Sequence, residues 1–333
     1  MTDPRPLAIL DFAHRIAGQT ASQTLADTVA VAQAADRLGY ARYWLPEHHN
    51  ASGLGFTSNE VLIAHVATAT ERIRVGAAGI MLPNHSPLKV AEVFRTLEAL
   101  YPGRIDLGLG RAPGTDGLTA YALRGAMEAA DAFPEQAAQL MAFLTDSFPD
   151  GHPYHAVLAG PQIDTMPDVF VLGSSDYGPK FSAVNGLGTA FAHHMSPELA
   201  VDVLRAYRAE FTPGFTDSPY STISVLVFAT DDADEATTAL AAWSMFIQRI
   251  RSGQRGPRPS YAEVVDHGRS REFTAARGDL ERRMFVGPAA SVAERVRALA
   301  DQAQVDQVAV ISPITEAAPR IASLERLITA WTA

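Results

Sequence analysis

Short apolar runs alternate with longer segments of helical periodicity along nearly the whole chain. The clearest unit begins with an apolar run at Ile73. A helix start follows at Ser86-Pro87, then apolar residues at helical spacing from Val90 to Leu100, and then a second apolar run from Ile105 to Leu109. Two strands joined by one helix in about forty residues form a βαβ unit. This stretch therefore predicts two parallel neighbouring strands.

The same alternation, continued along the chain, predicts eight strands that are each followed by a helix. The strands are predicted at 7–12, 41–45, from 73, and at 105–109, 169–172, 189–192, 222–228 and 305–311. Eight such repeats are typical of an α/β protein with the (β/α)8 TIM barrel fold, here as a single domain over residues 1–333. The alternative is a doubly wound open sheet, but no GxGxxG follows the first strand.

One long segment after the seventh strand, residues 251–283, breaks this rhythm. It is polar and basic, it has glycines and prolines near its start, and it lacks strong periodicity. Segments of this length in a compact domain are usually functional flaps or disordered. We predict an extended, mobile active-site loop there, without a packed helix. Trypsin is expected to reach its arginines, which include Arg251, Arg255, Arg258 and Arg269.

Composition narrows the class of protein. The chain has 333 residues, 47% of them hydrophobic, and a formal net charge of -10, which argues against nucleic acid as a partner. It contains no cysteine, so disulfides, thiolate metal sites and cysteine nucleophiles are excluded. No apolar run has membrane-spanning length, and Met1 to Phe12 is too short and too acidic for a signal peptide, so none is expected. We expect a soluble cytoplasmic protein without a membrane partner.

Several polar or small residues fall directly after predicted strands, and a barrel brings the carboxyl ends of its strands to one mouth. Taken singly, each has an ordinary structural explanation, such as a solvated histidine pair, a surface charge or a helix cap. Their shared placement favours a site. These residues are Asp11, Glu47, His48, His49, Ala78, Gly79, Arg111, Ser174 and Ser175.

Two kinds of chemistry suit these residues. Arg111 with the hydroxyls of Ser174 and Ser175, at the start of a helix, would bind a phosphate dianion. His48 could act as an acid or base near neutral pH. No metal-ligand spacing is convincing, since Glu47, His48 and His49 are contiguous. His193-His194, after the sixth strand, leaves a metal-dependent hydrolase as an alternative.

Three runs of sequence resemble the bacterial luciferase-like monooxygenases, and more closely their single-chain FMN-dependent branch. They are RYWLPEHHN (Arg42 to Asn50), IRVGAAGIMLPNHSPLKVAEVFRTLEALYPGRIDLGLGRAPGTD (Ile73 to Asp116) and VLGSSDYGPKFSAVNGLGTAFAHH (Val171 to His194). The resemblance extends from Leu7 to the closing helix. It implies a (β/α)8 barrel that binds FMN at the carboxyl ends of its strands.

The resemblance also implies roles for individual residues. His48 matches the catalytic histidine, and Arg111 and Ser175 match phosphate ligands. Ala78-Gly79 matches a pair joined by a cis peptide beneath the flavin ring, and residues 251–283 match a mobile active-site loop. Asp176 departs from the pattern, since it adds a negative charge beside the phosphate. At Gly178, where the family has a threonine hydroxyl on the phosphate, a backbone amide would take its place. No metal ligand is expected. The candidate cofactor-binding residues are Ala78, Gly79, Arg111, Ser174, Ser175, Tyr177 and Gly178.

The function implied by the resemblance is that of a monooxygenase. Reduced FMN, supplied by a separate NAD(P)H:flavin reductase, would react with O2 to give a flavin peroxide that oxygenates a small organic substrate. His48 would be the acid or base, and light emission is not implied. Three alternatives stay open, namely a deazaflavin-dependent hydride-transfer oxidoreductase, a non-catalytic flavin-binding protein and the metal-dependent hydrolase, which would use His48, His193 and His194. The resemblance further implies a homodimer, with the helix from Pro87 to Leu100 as a candidate interface.

Overall fold

The structure, a computed structural model, describes residues 5–124, 129–254 and 256–333 and contains a closed parallel barrel. The strands are β1 Leu7–Leu10, β2 Arg42–Leu45, β3 Arg74–Met81, β4 Ile105–Gly110, β5 Asp168–Gly173, β6 Gly188–Ala192, β7 Ser221–Ala229, β8 Met284–Gly287 and β9 Gln307–Ile311. Strands β1 to β7 pair in chain order, β9 pairs with both β7 and β1, and every one of these pairings is parallel. The predicted (β/α)8 TIM barrel is therefore confirmed.

Helices surround the barrel and follow from local sequence signals. The first begins with a capping box, in which Thr20 accepts from the amide of Gln23, and it ends at Gly39 with a φ of 85°. Pro87 stands at the first position of the helix Pro87–Leu100 as predicted, although the Ser86 hydroxyl makes no capping hydrogen bond. The helices are α1 Ala21–Leu38, α2 Asn59–Thr68, α3 Pro87–Leu100, α4 Gly117–Arg124, α5 Phe133–Thr145, α6 Tyr177–Asn185, α7 Ala200–Glu210, α8 Ala233–Arg251, α9 Tyr261–His267, α10 Arg271–Arg283, α11 Ala289–Ala303 and α12 Ala317–Thr332.

The buried apolar residues form two clusters. The larger one lies between the outer face of the strands and the helices. The second, which we call the inner cluster, contains the barrel residues Trp44, Ala78 and Phe170 together with Trp243 and Phe273 from the helices after β7. These helices therefore pack over the apolar interior of the barrel and extend it.

The amino ends of the strands are closed by a network of charges. Asp106 is fully buried and accepts hydrogen bonds from Arg42, from Arg74 and from the indole of Trp44. Asp168 binds both arginines as well. Because this end is filled by mutually neutralising side chains, the opposite, carboxyl end is where loops are free to form a site.

One expectation for the region after β7 is wrong, namely that residues 251–283 contain no packed helix. Residues 251–283 contain the helices α9 and α10, and a short strand, β8, follows and pairs with β7 outside the closed barrel. Ser260 forms a capping box with Glu263, and Ser270 caps α10. Few apolar residues mark these helices, since α10 buries only Phe273 and Leu280, so the hydrophobic periodicity that identifies helices is weak. The mobility of this region remains a prediction.

Among the described residues, no helix combines the length and the apolar character that crossing a membrane requires.

Candidate active site

His48 lies in the loop after β2 at the barrel mouth and is half-buried. Its Nδ1 is 3.3 Å from the carbonyl oxygen of Gly114, and its ring stacks on Phe12 at 5.9 Å between centroids. Burial lowers the pKa of His48, and the contacts with Gly114 and Glu47 offset this effect only in part. An unprotonated imidazole that donates from Nδ1 to Gly114 leaves Nε2 free to accept a proton.

The loop after β4, which carries Arg111, is fastened to the loop that carries His48. The carbonyl oxygen of Gly114 also accepts from the amide of His49 at 3.3 Å, and Thr115 donates to the carbonyl of His49 at 3.0 Å. Gly114 has a φ of 63°, and a Cβ there would lie 2.9 Å from the carbonyl oxygen of Glu47. Glycine is required at this position because a side chain would separate the two loops.

Glu47 is the residue of this site whose role the sequence did not indicate. Its carboxylate is 1% exposed and accepts from the amide of Met81, from His49 at 2.7 Å and from His85 at 2.9 Å. Burial alone would raise the pKa of Glu47, but hydrogen bonds and charge from His85, and then from His49 and Met81, lower it overall. Glu47 therefore joins the loop after β2 to the end of β3.

Arg111 and Tyr177 form the second part of the mouth. The guanidinium carbon of Arg111, which is exposed, lies 3.9 Å from the centroid of the Tyr177 ring. Tyr177 is the first residue of α6, so this cation–π contact holds a positive charge at the start of that helix. The structure thus brings together Arg111 and the turn after β5, as predicted from their positions after neighbouring strands.

The turn before α6 presents polar groups that are accessible from the mouth. Ser174 is half-buried and Ser175 is exposed, and no side chain caps the helix. A Cβ on Gly178 would meet only ordinary van der Waals contacts, the nearest at 3.5 Å, so packing within the chain does not require glycine there. Asp176 is paired with Lys180 at 2.6 Å, which removes the objection that its charge would oppose an anion.

Ala78 and Gly79 in β3 are joined by a cis peptide bond, as the resemblance implied. Ala78 is buried in the inner cluster. A Cβ on Gly79 would lie 2.8 Å from the carbonyl oxygen of Gly108 in β4 and equally close to Leu172 in β5. The three neighbouring strands therefore approach closely here, directly below the loops that carry His48 and Arg111.

Other residues singled out from the sequence lie elsewhere or serve the fold. Asp11 is buried and accepts from Tyr43, from the amide of Ala13 and from Arg320. His194 contacts the hydroxyl of Ser224, and burial lowers its pKa to about 4. In the ranges that the structure describes, no three His, Cys, Asp or Glu side chains are grouped so that they could hold a metal ion. The metal-dependent hydrolase therefore has no ligand set in those ranges.

We call residues 251–283 the insertion after β7. The start of this insertion is attached to the loop after β1. The amide of Arg258 donates to the carbonyl of Arg15 at 2.6 Å, and the carbonyl of Arg258 accepts from the amide of Ala17 at 2.9 Å. A Cβ on Gly53 would lie 2.2 Å from the carbonyl oxygen of Gly256. The expected exposure of Arg258 to trypsin is therefore wrong, while Arg255 lies outside the described residues.

Limited trypsin digestion should cut the insertion at Arg251 and Arg269, which are exposed, and should spare Arg258, whose backbone is bonded on both sides. Cleavage sites are read by mass spectrometry of the fragments. Addition of reduced FMN should slow both cuts if the insertion closes over an occupied mouth. Equal cleavage rates with and without flavin would identify the insertion as a static cover.

Comparison with known proteins agrees with this architecture. The family model described as luciferase-like monooxygenase matches residues 6–307. A luciferase-like monooxygenase of Escherichia coli (strain K12) is 34% identical over 98% of this chain and 97% of its own. The N-acetyl-S-alkylcysteine monooxygenase of Bacillus subtilis (strain 168) is 36% identical over 75% of each chain.

Two solved structures are also similar. The crystal structure of apo-MsnO8 superimposes with a TM-score of 0.89 at 34% identity, covering 98% of both chains. The oxygenating constituent of 3,6-diketocamphane monooxygenase from Pseudomonas putida, a type II Baeyer–Villiger enzyme in complex with FMN, has a TM-score of 0.73 at 18% identity, covering 99% of this chain and 98% of its own. At that identity the second likeness concerns the fold alone. The chain belongs to the luciferase-like monooxygenase family and is an oxidoreductase.

Proposed function

We propose that the protein is a monooxygenase that uses reduced FMN and O2 to oxygenate a small organic substrate. The observation that carries this proposal is the pairing of Arg111 with Tyr177 at the uncapped start of α6, in the same mouth as His48. A cation, hydroxyls and free helix amides suit a phosphate monoester, and a half-buried imidazole beside an apolar interior suits proton transfer next to a flavin ring.

The residues present fit FMN. Arg111, Ser174, Ser175 and the amide of Gly178 would hold the phosphate, and the guanidinium stays stacked on Tyr177 while it does so. The flavin ring would lie against the cis Ala78–Gly79 peptide. Ala78 belongs to the inner cluster, so the apolar residues of that cluster would exclude water from the ring. Reduced FMN, when bound, supplies the electrons that activate O2.

His48 has a defined part in this arrangement. Its Nδ1 is occupied by the carbonyl of Gly114, so Nε2 is the atom that accepts a proton from the reacting groups and returns it. Burial keeps the imidazole unprotonated at neutral pH, as a proton acceptor must be. Both carboxylate oxygens of Glu47 are engaged by His49, His85 and the amide of Met81, so neither is available to reacting groups in the mouth. We assign Glu47 a positioning role.

The function is tested by supplying reduced FMN from an NAD(P)H:flavin reductase, the partner proposed for this enzyme. Isotopically labelled O2 should then place one labelled oxygen atom in an S-alkyl thioether probe. An N-acetyl-S-alkylcysteine is the first probe, because one relative is named for oxygenating such compounds. Turnover that requires a reduced deazaflavin and incorporates no oxygen would instead support the deazaflavin-dependent alternative, and flavin binding without turnover would support the non-catalytic one.

The cofactor is tested by comparing FMN with riboflavin, which lacks the phosphate. FMN should bind at least about tenfold more tightly, because a charge-assisted hydrogen bond to phosphate contributes roughly 1.5–3 kcal/mol. Arg111→Ala should remove most of this preference and leave the affinity for riboflavin nearly unchanged. Arg111→Lys should recover only part of it, since an ammonium lacks the planar fork. Flavin fluorescence titration measures all these affinities.

A matched control for Arg111 is Arg37, an exposed arginine in the last turn of α1. Arg37→Ala should leave both flavin affinities unchanged, and added salt should weaken FMN binding more than riboflavin binding. If wild-type protein binds both flavins equally, or if Arg111→Ala weakens both alike, the phosphate is bound elsewhere.

We also propose a homodimer. In this chain, α3 buries Val90, Phe94 and Leu97 in its own core, whereas Leu100 at its end is 61% exposed. An interface at α3 would therefore use the outer face of the helix. Light scattering should give about twice the chain mass of 35.7 kDa, and a monomer mass would refute the proposal.

A further inference from the structure

Arg258 is a buried cation without a hydrogen-bonding partner. It lies in the insertion after β7 and is 6% exposed, and Nε and Nη1 are both buried without a hydrogen bond. The other buried arginines of the described residues differ from it. Arg42 binds two carboxylates, Arg95 binds Asp146 and two carbonyls, and Arg320 binds Asp11. Among the buried arginines of the described residues, Arg258 is thus the exception, because its side chain binds neither a carboxylate nor a carbonyl.

The surroundings of Arg258 are mostly aromatic. Its guanidinium carbon lies 3.7 Å from the centroid of Phe246 and 5.6 Å from that of Trp243. Burial, and after it the positive charge of Arg320, lowers the pKa of Arg258 to about 9, and the charge of Glu316 offsets this in part. The guanidinium therefore remains charged at neutral pH, and a buried charge without a paired group is unfavourable unless a ligand supplies one.

A row of rings connects Arg258 to His48. Phe246, against which Arg258 packs, contacts the ring of His14 at 5.1 Å. Phe12 lies between two imidazoles, with His14 at 5.4 Å and His48 at 5.9 Å. We call Phe12, His14, His48 and Phe246 the aromatic row. A molecule bound along this row would place one end at His48 and the other at Arg258.

We propose that Arg258 binds a carboxylate of the substrate and that the aromatic row packs against the carbon chain between this carboxylate and the atom oxidised near His48. The guanidinium offers two parallel N–H donors in the geometry of a carboxylate, and it is already desolvated. The rings supply apolar contact over the intervening chain. This inference rests on the proposed function for the identity of the reaction, but its binding test does not require flavin.

A bound water molecule is the competing explanation. A cavity of about 20 Å³ beside Arg258 is lined by residues that include Pro259, Tyr261 and Glu316. Such a volume has room for one water molecule. Water that bridges Arg258 to Glu316 would satisfy the guanidinium within the protein, and Arg258 would then have no preference for a ligand carboxylate.

The test is calorimetric titration of the full-length, cofactor-free protein with hexanoate and with hexanamide, which share a carbon chain and differ in charge. Hexanoate should bind at least about tenfold more tightly than hexanamide. Arg258→Met should abolish this preference while keeping hexanamide affinity, since methionine preserves the packing against Phe246. Arg258→Lys should retain part of it. Arg251→Met, at an exposed arginine that ends α8, is the matched control and should change nothing.

Thermal unfolding distinguishes the binding of a carboxylate by Arg258 from a purely structural role of that residue. Without ligand, Arg258→Met should leave the midpoint unchanged or raise it, because an unpaired buried charge has been removed. Hexanoate should raise the midpoint of the wild type and not that of Arg258→Met. A lowered midpoint together with equal affinities for hexanoate and hexanamide would overturn the inference in favour of the water bridge. Equal binding of FMN and riboflavin by the wild-type protein would instead count against the proposed function and leave this result standing.

Discussion

His48→Ala should lower the rate of substrate oxygenation by about 100-fold or more while leaving the affinity for FMN within about twofold of wild type. The reason is geometric. His48 contacts the protein through Nδ1 and Phe12, so its removal costs a proton acceptor at Nε2 rather than a flavin contact. Oxidation of the cofactor should continue and release H2O2 in place of oxygenated product. Oxygen consumption and product formation, measured together, show whether the two have become uncoupled.

The pH profile gives a second signature of His48. Burial holds its pKa below the ordinary value of about 6.5, so the unprotonated ring predominates at neutral pH. The acid limb of kcat/KM should therefore lie below that value and should disappear in His48→Ala. His65, an exposed histidine of α2, provides the matched control. Unchanged coupling in His48→Ala would show that His48 is structural. His49→Ala should have a smaller effect than His48→Ala.

The barrel could be predicted because its signals are local. Apolar runs of strand length, helical spacing from Val90 to Leu100, and a glycine that ends α1 each depend on a few neighbouring residues. The strand β8 could not be found in this way. It has only four residues, follows an arginine-rich helix, and exists because β7 is long enough to pair with a further strand beyond the end of β6.

The sequence predicts those parts of the candidate site that depend only on a residue standing directly after a strand. Arg111 and Tyr177 follow neighbouring strands, and the structure brings them into contact. Glu47 and Arg258 could not be assigned, because their roles depend on partners distant in the chain. Glu47 reaches Met81 and His85, and Arg258 becomes significant only because burial leaves it unpaired. Periodicity does not reveal which charged residue is desolvated.

Glu47→Ala should lower the free energy of unfolding by about 3 kcal/mol, which is the largest loss of stability expected at the candidate site. Its buried carboxylate accepts from the Met81 amide and from two imidazoles, so alanine removes the hydrogen bonds that join the loop after β2 to the end of β3. Urea denaturation with an unchanged m-value measures the loss. Glu325→Ala, at an exposed glutamate of α12, should stay within about 0.5 kcal/mol of wild type.

The pH dependence of that loss identifies the charge of Glu47 as its cause. The folded pKa of Glu47 is lowered, so its contribution is fully present above the unfolded pKa of about 4.3 and is lost as the pH falls through the folded value. Glu47→Gln removes the charge while keeping the size and some hydrogen bonds, so its stability should differ most from wild type near neutral pH and approach it in acid. A difference that stays constant down to about pH 3 would contradict this explanation, because the wild-type carboxylate would then be binding as a neutral acid throughout. The same variant should reduce oxygenation through the misplacement of His48, since Glu47 orients the loop on which that imidazole stands.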